Sequence, residues 1–484
     1  MCSYAWCYQA PYFYRTFILS GFVYMREFDL IVIGSGPAGQ KAAIQGAKLR
    51  KRVAIIEKET VLGGAGVNTG TLPSKTLNDT IYHIHGYTLR SFLNATCTLK
   101  KNITFKDMMA RRSQVASNDN NVLRHQLERN NITIIHGTAT LTGPHTVQVA
   151  MRNGKKEPLF ASFVVIATGS RPRRPDNVPF NNQNVCDSDA ILSTDVAPES
   201  ILVVGGGVIG MEYASMFNVF GLEVILLERR KELFRFVDLE VTRKLIEHLK
   251  LNGVQFILEQ DITQVVIKKT GKVATTIQGG ETIITDMLLY AMGRTAQTHA
   301  LGLPAAGVEI DTAGQIKVDE CYRTNVAHIY AAGDVIGFPG LASTSMEQGR
   351  RAACHAFGVA LPEMPKIWPY GIYTIPEISL VGKTEEELKK ESVPYEIGRA
   401  FYKEIAHGQN AGDTMGFMKL LFHRESRKLL GVHIIGDGAT ELIHVGQTVM
   451  TYGGTIDYFT NNVFNYPTLA ECYRTAALDG VNRL

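Results

Sequence analysis

One pattern, present twice, most constrains what this chain can fold into. The apolar run Phe28 to Ile33 (FDLIVI) leads into Gly34-Ser-Gly36-Pro-Ala-Gly39. A helical stretch from Gln40 to Leu49 follows, then the run Val53 to Ile56 ended by Glu57. The run Ile201 to Val204 (ILVV) leads in the same way into Gly205-Gly-Gly207-Val-Ile-Gly210. A helical stretch from Met211 to Phe220 follows, then Val224 to Leu227 ended by Glu228. Each acid stands 23 positions after its first glycine. In such a unit the first glycine makes the tight turn and the second lets a pyrophosphate approach the backbone. The third permits helix–strand contact, and the acid can bond a ribose hydroxyl. A single copy is weak evidence, because glycine turns before helices are common. Two copies in full strand–helix–strand–acid context predict two dinucleotide sites. Either one of them holds a flavin or both hold nicotinamide cofactors.

Other apolar runs also stop at glycine, which marks the ligand edge of an open parallel sheet. Short alternating runs fill Ile132 to Val149. The strand Phe163 to Ala167 ends at Thr168-Gly169-Ser170, Met287 to Ala291 ends at Gly293-Arg294, and Ala327 to Ala332 ends at Gly333-Asp334. Asp334 is placed to bond a polyol such as the ribityl chain of FAD, or to N-cap a following helix; the pattern allows both.

The stretch Leu62 to Lys75 (LGGAGVNTGTLPSK) has no apolar period and is expected to be neither a simple amphipathic helix nor a half-buried strand. Gly63, Gly64, Gly66 and Gly70 let its backbone bend and lie close against something flat. Pro73 suits the first turn of a helix running through Ser74, Lys75 and Leu77.

After Trp368 the texture changes. Ile372 to Val381, Gly416 to Phe422 and Leu430 to Ile435 read as antiparallel strands, with a charged turn at His423 to Lys428. Helices are expected over Ala439 to Tyr452 and Thr468 to Leu478. No glycine fingerprint occurs here, so this α+β unit suits interface formation better than nucleotide binding.

The 484 residues are 45% hydrophobic and 20% charged, with a net charge of +4. That is enough chain for roughly three domains. No long basic run exists, which argues against nucleic acid as a partner. The cluster Arg171, Arg173, Arg174 is broken by prolines and reads as a solvated crossover. Seven cysteines at 2, 7, 97, 186, 321, 354 and 472 show no zinc-like spacing, so no metal is expected. Their odd number suits a reducing compartment, the cytoplasm. Cys2 and Cys7 share the gap of a redox pair but lack a glycine frame. They lie in an aromatic leader, residues 1–25, whose apolar run Thr16 to Tyr24 falls far short of the ~20 residues that span a bilayer. The leader also lacks the basic start and small-residue cleavage site of a signal peptide. Translation is expected to begin naturally at Met25.

The two fingerprints, the Leu62–Lys75 block, Ala167-Thr168-Gly169, Glu212 and Ala332-Gly333-Asp334 occur in one order. That order resembles the FAD-dependent pyridine nucleotide–disulfide oxidoreductases from about residue 26 to the C-terminus. Within that family, GIYTIPEISLVGKTEEEL from Gly371 and FNYPTLAE from Phe464 look most like the soluble, energy-independent pyridine nucleotide transhydrogenases. The resemblance implies an α/β fold of two Rossmann-like domains and a C-terminal α+β dimerisation domain. FAD would bind 26–170 and 295–365, NAD(P) would bind 171–294, and 366–484 would form a homodimer or higher homo-oligomer. Gly34, Gly36, Gly39 and Glu57 would hold the ADP part of FAD, and Asp334 its ribityl chain. Leu341 and Ala342 would lie near the flavin ring, with Gly205, Gly207, Gly210 and Glu228 on NAD(P). Lys75 and Glu212 would pair beside the flavin N5 as the catalytic residues.

Two departures decide the activity expected. The positions where a redox pair of cysteines belongs hold Gly66 and Thr71, and Tyr466 stands where a histidine base belongs before Glu471. Tyrosine, with a reference pKa of about 10, does not replace a base poised near neutrality. A relay to a disulfide is therefore not expected. The implied activity is that of a Si-specific NAD(P)+ transhydrogenase, passing hydride from NADPH to NAD+ through FAD in ping-pong fashion. Glu228 suits the free ribose hydroxyls of NAD, while Arg229, Arg230 and Lys231 suit the 2′-phosphate of NADP. An NAD(P)H diaphorase or oxidase is a second reading. A degenerate flavoprotein kept as a binding subunit is a third, against which Lys75, Glu212, Glu228 and Asp334 argue.

Overall fold

The computed structural model describes residues 25–89, 105–194, 196–364 and 366–484. The leader up to Tyr24, with Cys2 and Cys7, and also Cys97, lie outside the described residues. Contacts group the chain into two units. One comprises the residues up to Leu72, Gln114–Arg171 and Arg294–Pro362; the other comprises Pro73–Ser113, Pro172–Gly293 and Glu363–Leu484.

The first unit is built on a seven-stranded sheet. Its main path runs Thr133–His136, Val53–Glu57, Arg26–Ile33, Lys156–Ile166, Thr146–Ala150, Thr138–Leu141. Leu30, Ile31, Val32 and Ile33 are all buried, as are all five residues of Val53–Glu57. Strands buried on both faces read as unbroken apolar runs and pair in parallel, as these two do. The strand Lys156–Ile166 has two partners besides Arg26–Ile33. Its first half pairs antiparallel with Thr146–Ala150, and its last residues pair parallel with Ile329–Ala331. This late insertion brings the turn after Ala332 alongside the turn after Ile166. The helices Pro37–Lys48 and Ala342–Ala356 touch at backbone distance, because a Cβ on Gly349 would run into the Ala38 carbonyl.

Among the described residues the second unit carries three sheets. A parallel sheet runs Gln255–Leu258, Glu223–Glu228, Ser200–Val204, Met287–Tyr290, Val185–Asp187. An antiparallel sheet of three strands, Ile262–Ile267, Val273–Ile277 and Thr282–Thr285, is added to it in sequence. The C-terminal sheet is antiparallel and runs Tyr370–Ile372, Ile378–Gly382, Leu429–Ile435, Phe417–His423, Tyr395–Phe401. One expectation is corrected here and one strand is added. The run Ile372 to Val381 is two strands joined by a loop over 373–377, where Pro376 has no N–H to give a ladder. Tyr395–Phe401, an edge strand of mixed burial, was not expected at all. One apolar core joins Met211, Phe217 and Leu226 of the nucleotide-type fold to Ile372, Ile375 and Phe417, and takes in Leu77 and Ile81 from the helix Thr71–Leu89.

Candidate functional site

The two glycine turns have nearly the same geometry. Gly34 sits at φ +101° and Gly205 at φ +111°, where an L side chain is strained. A Cβ on Gly34 would lie 2.5 Å from the Ala167 carbonyl oxygen, and one on Gly205 2.8 Å from that of Ala291. Side chains on Gly39 and Gly210 would run into the carbonyls of Gly34 and Gly205, so each helix packs directly on its own turn. Gly36 and Gly207 differ: a Cβ there meets nothing within 4 Å. They precede helices of 12 and 13 residues, Pro37–Lys48 and Val208–Phe220. Each turn thus presents open space at a helix N-terminus, where free N–H groups and the helix dipole favour an anion.

The acids at the ends of the second strands are both buried but are partnered differently. Glu57 accepts from Ser35 N at 3.0 Å, from Ser35 Oγ at 2.6 Å and from Glu59 N at 3.0 Å. Glu228 accepts from Gly206 N at 2.7 Å, from Arg230 N at 3.0 Å, and from the Arg230 guanidinium through Nε at 2.8 Å and Nη2 at 3.0 Å. Burial raises the Glu228 pKa, but the Arg230 hydrogen bonds outweigh it and hold the carboxyl below the usual range. Arg229 and Lys231 are exposed beside the pair.

The glycine block is more helical than its lack of apolar period suggested: Gly64–Asn68 is a short helix, and Thr71 opens the helix Thr71–Leu89. Gly63 and Gly64, both at positive φ, make the turn before it. The Gly63 N–H reaches Ser35 Oγ at 2.9 Å, so one hydroxyl links this block to Glu57. A Cβ on Gly64 would approach the Gly36 Cα at 3.0 Å, and one on Gly66 the Pro37 Cγ at 2.9 Å. Gly66 therefore lies on the first turn of the fingerprint helix, in the place where a longer residue would have to push the proline ring aside. Asn68 and Asn120 both donate to the Leu62 carbonyl at 2.7 Å and close the bed.

The strand-end residues form a second cluster in the same unit. Ser170 Oγ donates to Asp334 Oδ2 at 2.7 Å and accepts from Arg294 Nε at 2.8 Å; Arg294 also donates to the Ser170 carbonyl. Asp334 is the first residue inside a 3-10 turn whose N-cap is Gly333, so the N-cap alternative does not hold. Gly333, at φ +82°, lies over Ala38 with its N–H on Gln348. Thr168 and Gly169 are clamped by Gln297, which accepts from Thr168 Oγ1 and donates to the Thr168 carbonyl. Leu341 is the N-cap of the helix that Ala342 begins. In the other unit Gly293, at φ +91°, ends a strand turn and accepts from Arg173 N.

Lys75 and Glu212 meet within the second unit. The Lys75 ammonium lies 2.6 Å from Glu212 Oε2, with the lysine side chain 24% and the glutamate 5% exposed. The other oxygen, Oε1, accepts from the Tyr373 backbone N–H at 2.9 Å. The ammonium also sits 4.8 Å from the centre of the Tyr373 ring, a cation–π distance. Asn78, one turn along the helix from Lys75, donates to the Tyr373 carbonyl. Tyr373 was not anticipated from sequence, nor were Ser35, Ser170 and Gln297. Ser35 alone offered a signal, as the hydroxyl inside the first glycine turn. Tyr466 is 74% exposed, and Glu471, the first residue of the helix Glu471–Val481, has a buried Oε2 with no hydrogen-bond partner among the described residues.

The chain is similar to known proteins along most of its length. Residues 28–349 match the pyridine nucleotide-disulphide oxidoreductase family model, and 368–477 match the dimerisation domain of that family. The chain is 48% identical over 461 residues to the soluble pyridine nucleotide transhydrogenase of Mycobacterium bovis, covering 95% of this chain and 98% of that one. It is 42% identical over 462 residues to the soluble pyridine nucleotide transhydrogenase of Colwellia psychrerythraea, with 95% and 99% covered. Among solved structures, the Cu(II) complex of the HOCl-induced flavoprotein disulfide reductase RclA from Escherichia coli superposes with a TM-score of 0.86 at 25% identity, over 94% of this chain and 99% of that one. LpdA from Mycobacterium tuberculosis superposes with a TM-score of 0.85 at 24% identity, with 94% and 99% covered, a likeness of fold. No described helix is long and apolar enough to cross a membrane, and no group of three or more metal-ligating side chains occurs among the described residues.

Proposed function

The chain belongs to the pyridine nucleotide-disulphide oxidoreductase family, and from that premise we propose that it is a Si-specific NAD(P)+ transhydrogenase acting in the cytoplasm as a homodimer or higher homo-oligomer. It moves hydride reversibly from NADPH to NAD+, in ping-pong order and without a redox disulfide. The observation that carries this reading is the glycine bed. Both glycine turns are intact as nucleotide cradles, yet Gly66 is packed on Pro37 where a thiol relay would need a cysteine. The described cysteines, Cys186, Cys321, Cys354 and Cys472, are free and lie elsewhere in the chain. The names of the M. bovis and C. psychrerythraea relatives support the same activity.

The residues present fit FAD in the first unit. The space beside Gly36 at a helix N-terminus suits a pyrophosphate, buried Glu57 suits a ribose, and Asp334 suits a polyol hydroxyl. Bound FAD supplies a two-electron carrier that takes hydride from one nicotinamide and returns it to another. Gly63, Gly64, Thr168, Gly169, Gly333, Leu341 and Ala342 shape the bed around it. In the second unit, Gly205, Gly207 and Gly210 form the cradle of a nicotinamide nucleotide, with Gly293 at the same sheet edge. Glu228 binds the ribose of NAD, and Arg229 and Arg230 bind the 2′-phosphate of NADP. Arg294 holds Ser170 and through it Asp334. Lys75 presents a fixed positive charge, oriented by Glu212, where hydride transfer builds negative charge. Tyr466 closes the partner's pocket to water. Mixing the protein rapidly with NADPH and, separately, with NADH tests the reading: both should bleach the flavin, and failure of either would end it.

A further inference from the structure

The acid that selects NAD is covered in this structure by the arginine that selects NADP. Arg230 holds both oxygens of Glu228 through Nε and Nη2, and its own backbone N–H adds a third bond. Among the described residues the twin acid in the other unit has no such cover: Glu57 is held by Ser35 and by backbone N–H groups. The difference starts at one residue. The position equivalent to Ser35 is Gly206, where a Cβ would run into Leu233 Cδ2 and lie 3.3 Å from Glu228 Oε2. Gly206 brings no hydroxyl to the acid, and the guanidinium bonds it instead. Glu228 is 3% exposed and Arg230 43%, so the carboxylate is fixed and its cover faces solvent.

We infer that Arg230 is a two-position gate that makes recognition of the two cofactors mutually exclusive. With the gate on Glu228, the carboxylate is neutralised and no longer repels a 2′-phosphate. Two of the five guanidinium N–H groups are engaged, which leaves three, with exposed Arg229 beside them, for the phosphate oxygens. With the gate swung outward, Glu228 accepts from the ribose hydroxyls of NAD. The position in this structure, with Arg230 on Glu228, is the NADP-accepting one, and NAD binds only the fraction in which the gate is open. The inference rests on the dual use of this pocket proposed above and adds that one residue decides between the two uses.

Titration calorimetry of NADP+ and NAD+ onto the full-length, FAD-loaded, oxidised protein tests the gate without any hydride transfer. Arg230→Ala should weaken NADP+ by about 10- to 100-fold, the loss of one charge-assisted contact. The same change should tighten NAD+ by roughly 3- to 10-fold, because the apparent affinity no longer carries the closed fraction. Glu228→Gln, which keeps an acceptor for the Gly206 N–H, should weaken NAD+ and leave NADP+ within about threefold. Loss of both nucleotides in parallel in Arg230→Ala would show a structural clamp and overturn the gate, as would unchanged NADP+ binding. Hydride transfer is read separately in the wild type. A protein that obeys the gate but fails to pass hydride would refute the transhydrogenase reading alone.

Discussion

Ser35→Ala removes a single buried hydroxyl and should loosen FAD. The hydroxyl donates to Glu57 at 2.6 Å and accepts from the Gly63 N–H at 2.9 Å, and Ser35 is fully buried. Losing the first bond removes a charge-assisted contact of about 1.5–3 kcal/mol, and losing the second strands a backbone donor at about 1–3 kcal/mol. The two share one oxygen, so their costs are not additive, and a total of about 2–3 kcal/mol is expected. The loss falls on the glycine bed and on the orientation of Glu57. At 1.4 kcal/mol per decade it corresponds to roughly 30- to 100-fold weaker FAD binding. Fluorescence titration of the apoprotein with FAD reads this directly. Glu57→Gln should show a smaller loss, because an acceptor remains for Ser35. A Ser35→Ala protein whose FAD affinity stays within about threefold of wild type would refute the claim that this hydroxyl couples the bed to the acid.

Three further outcomes follow from other sites. Lys75→Met should slow flavin reduction by NADPH about 100- to 1,000-fold, the usual effect of removing one preorganised charge, while Tyr373→Phe, which keeps both the ring and the backbone N–H, should stay near wild type in the same stopped-flow assay. Lys419→Met should destabilise the protein by about 3–5 kcal/mol in urea unfolding, since its fully buried ammonium binds both oxygens of fully buried Asp238 and also Glu385 Oε2. Burial raises the Glu385 pKa, but Lys389 and Lys419 outweigh it and bring the carboxyl down to about 2 from 4.5. A depressed folded-state value gives stability that is full above pH 4.5 and is lost as pH falls from there towards 2; acid unfolding should be shallower over that window in Glu385→Gln.

Much of the architecture was legible because it depends on local pattern. The buried parallel strands appear in the sequence as apolar runs ended by glycine, and each glycine turn marks where a fingerprint helix begins. The block Leu62–Lys75 was harder. Its helix Gly64–Asn68 is built from glycines and held by Asn68 donating to the Leu62 and Gly64 carbonyls, so no apolar stripe betrays it. The split of 372–381 needed the weight of Pro376, and Tyr395–Phe401 alternates too weakly in burial to stand out. At the candidate site, Lys75 and Glu212 could be named only by resemblance, since 137 positions separate them, and Tyr373 lies 161 positions from the carboxylate it bonds. The Arg230 clamp is local in sequence, but the basic run Arg229-Arg230-Lys231 does not say which of the three turns back onto the acid. Gly66 became intelligible only when Pro37 was found against it.

The most direct test of the central claim is turnover of thio-NAD+ by the purified, FAD-loaded protein with NADPH as the only reductant. Steady reduction of thio-NAD+, with parallel-line kinetics as the two nucleotides are varied and little oxygen consumed when NAD+ is withheld, is the predicted result. Flavin that NADPH bleaches but NAD+ fails to reoxidise, with electrons passing to oxygen or quinone instead, would contradict it.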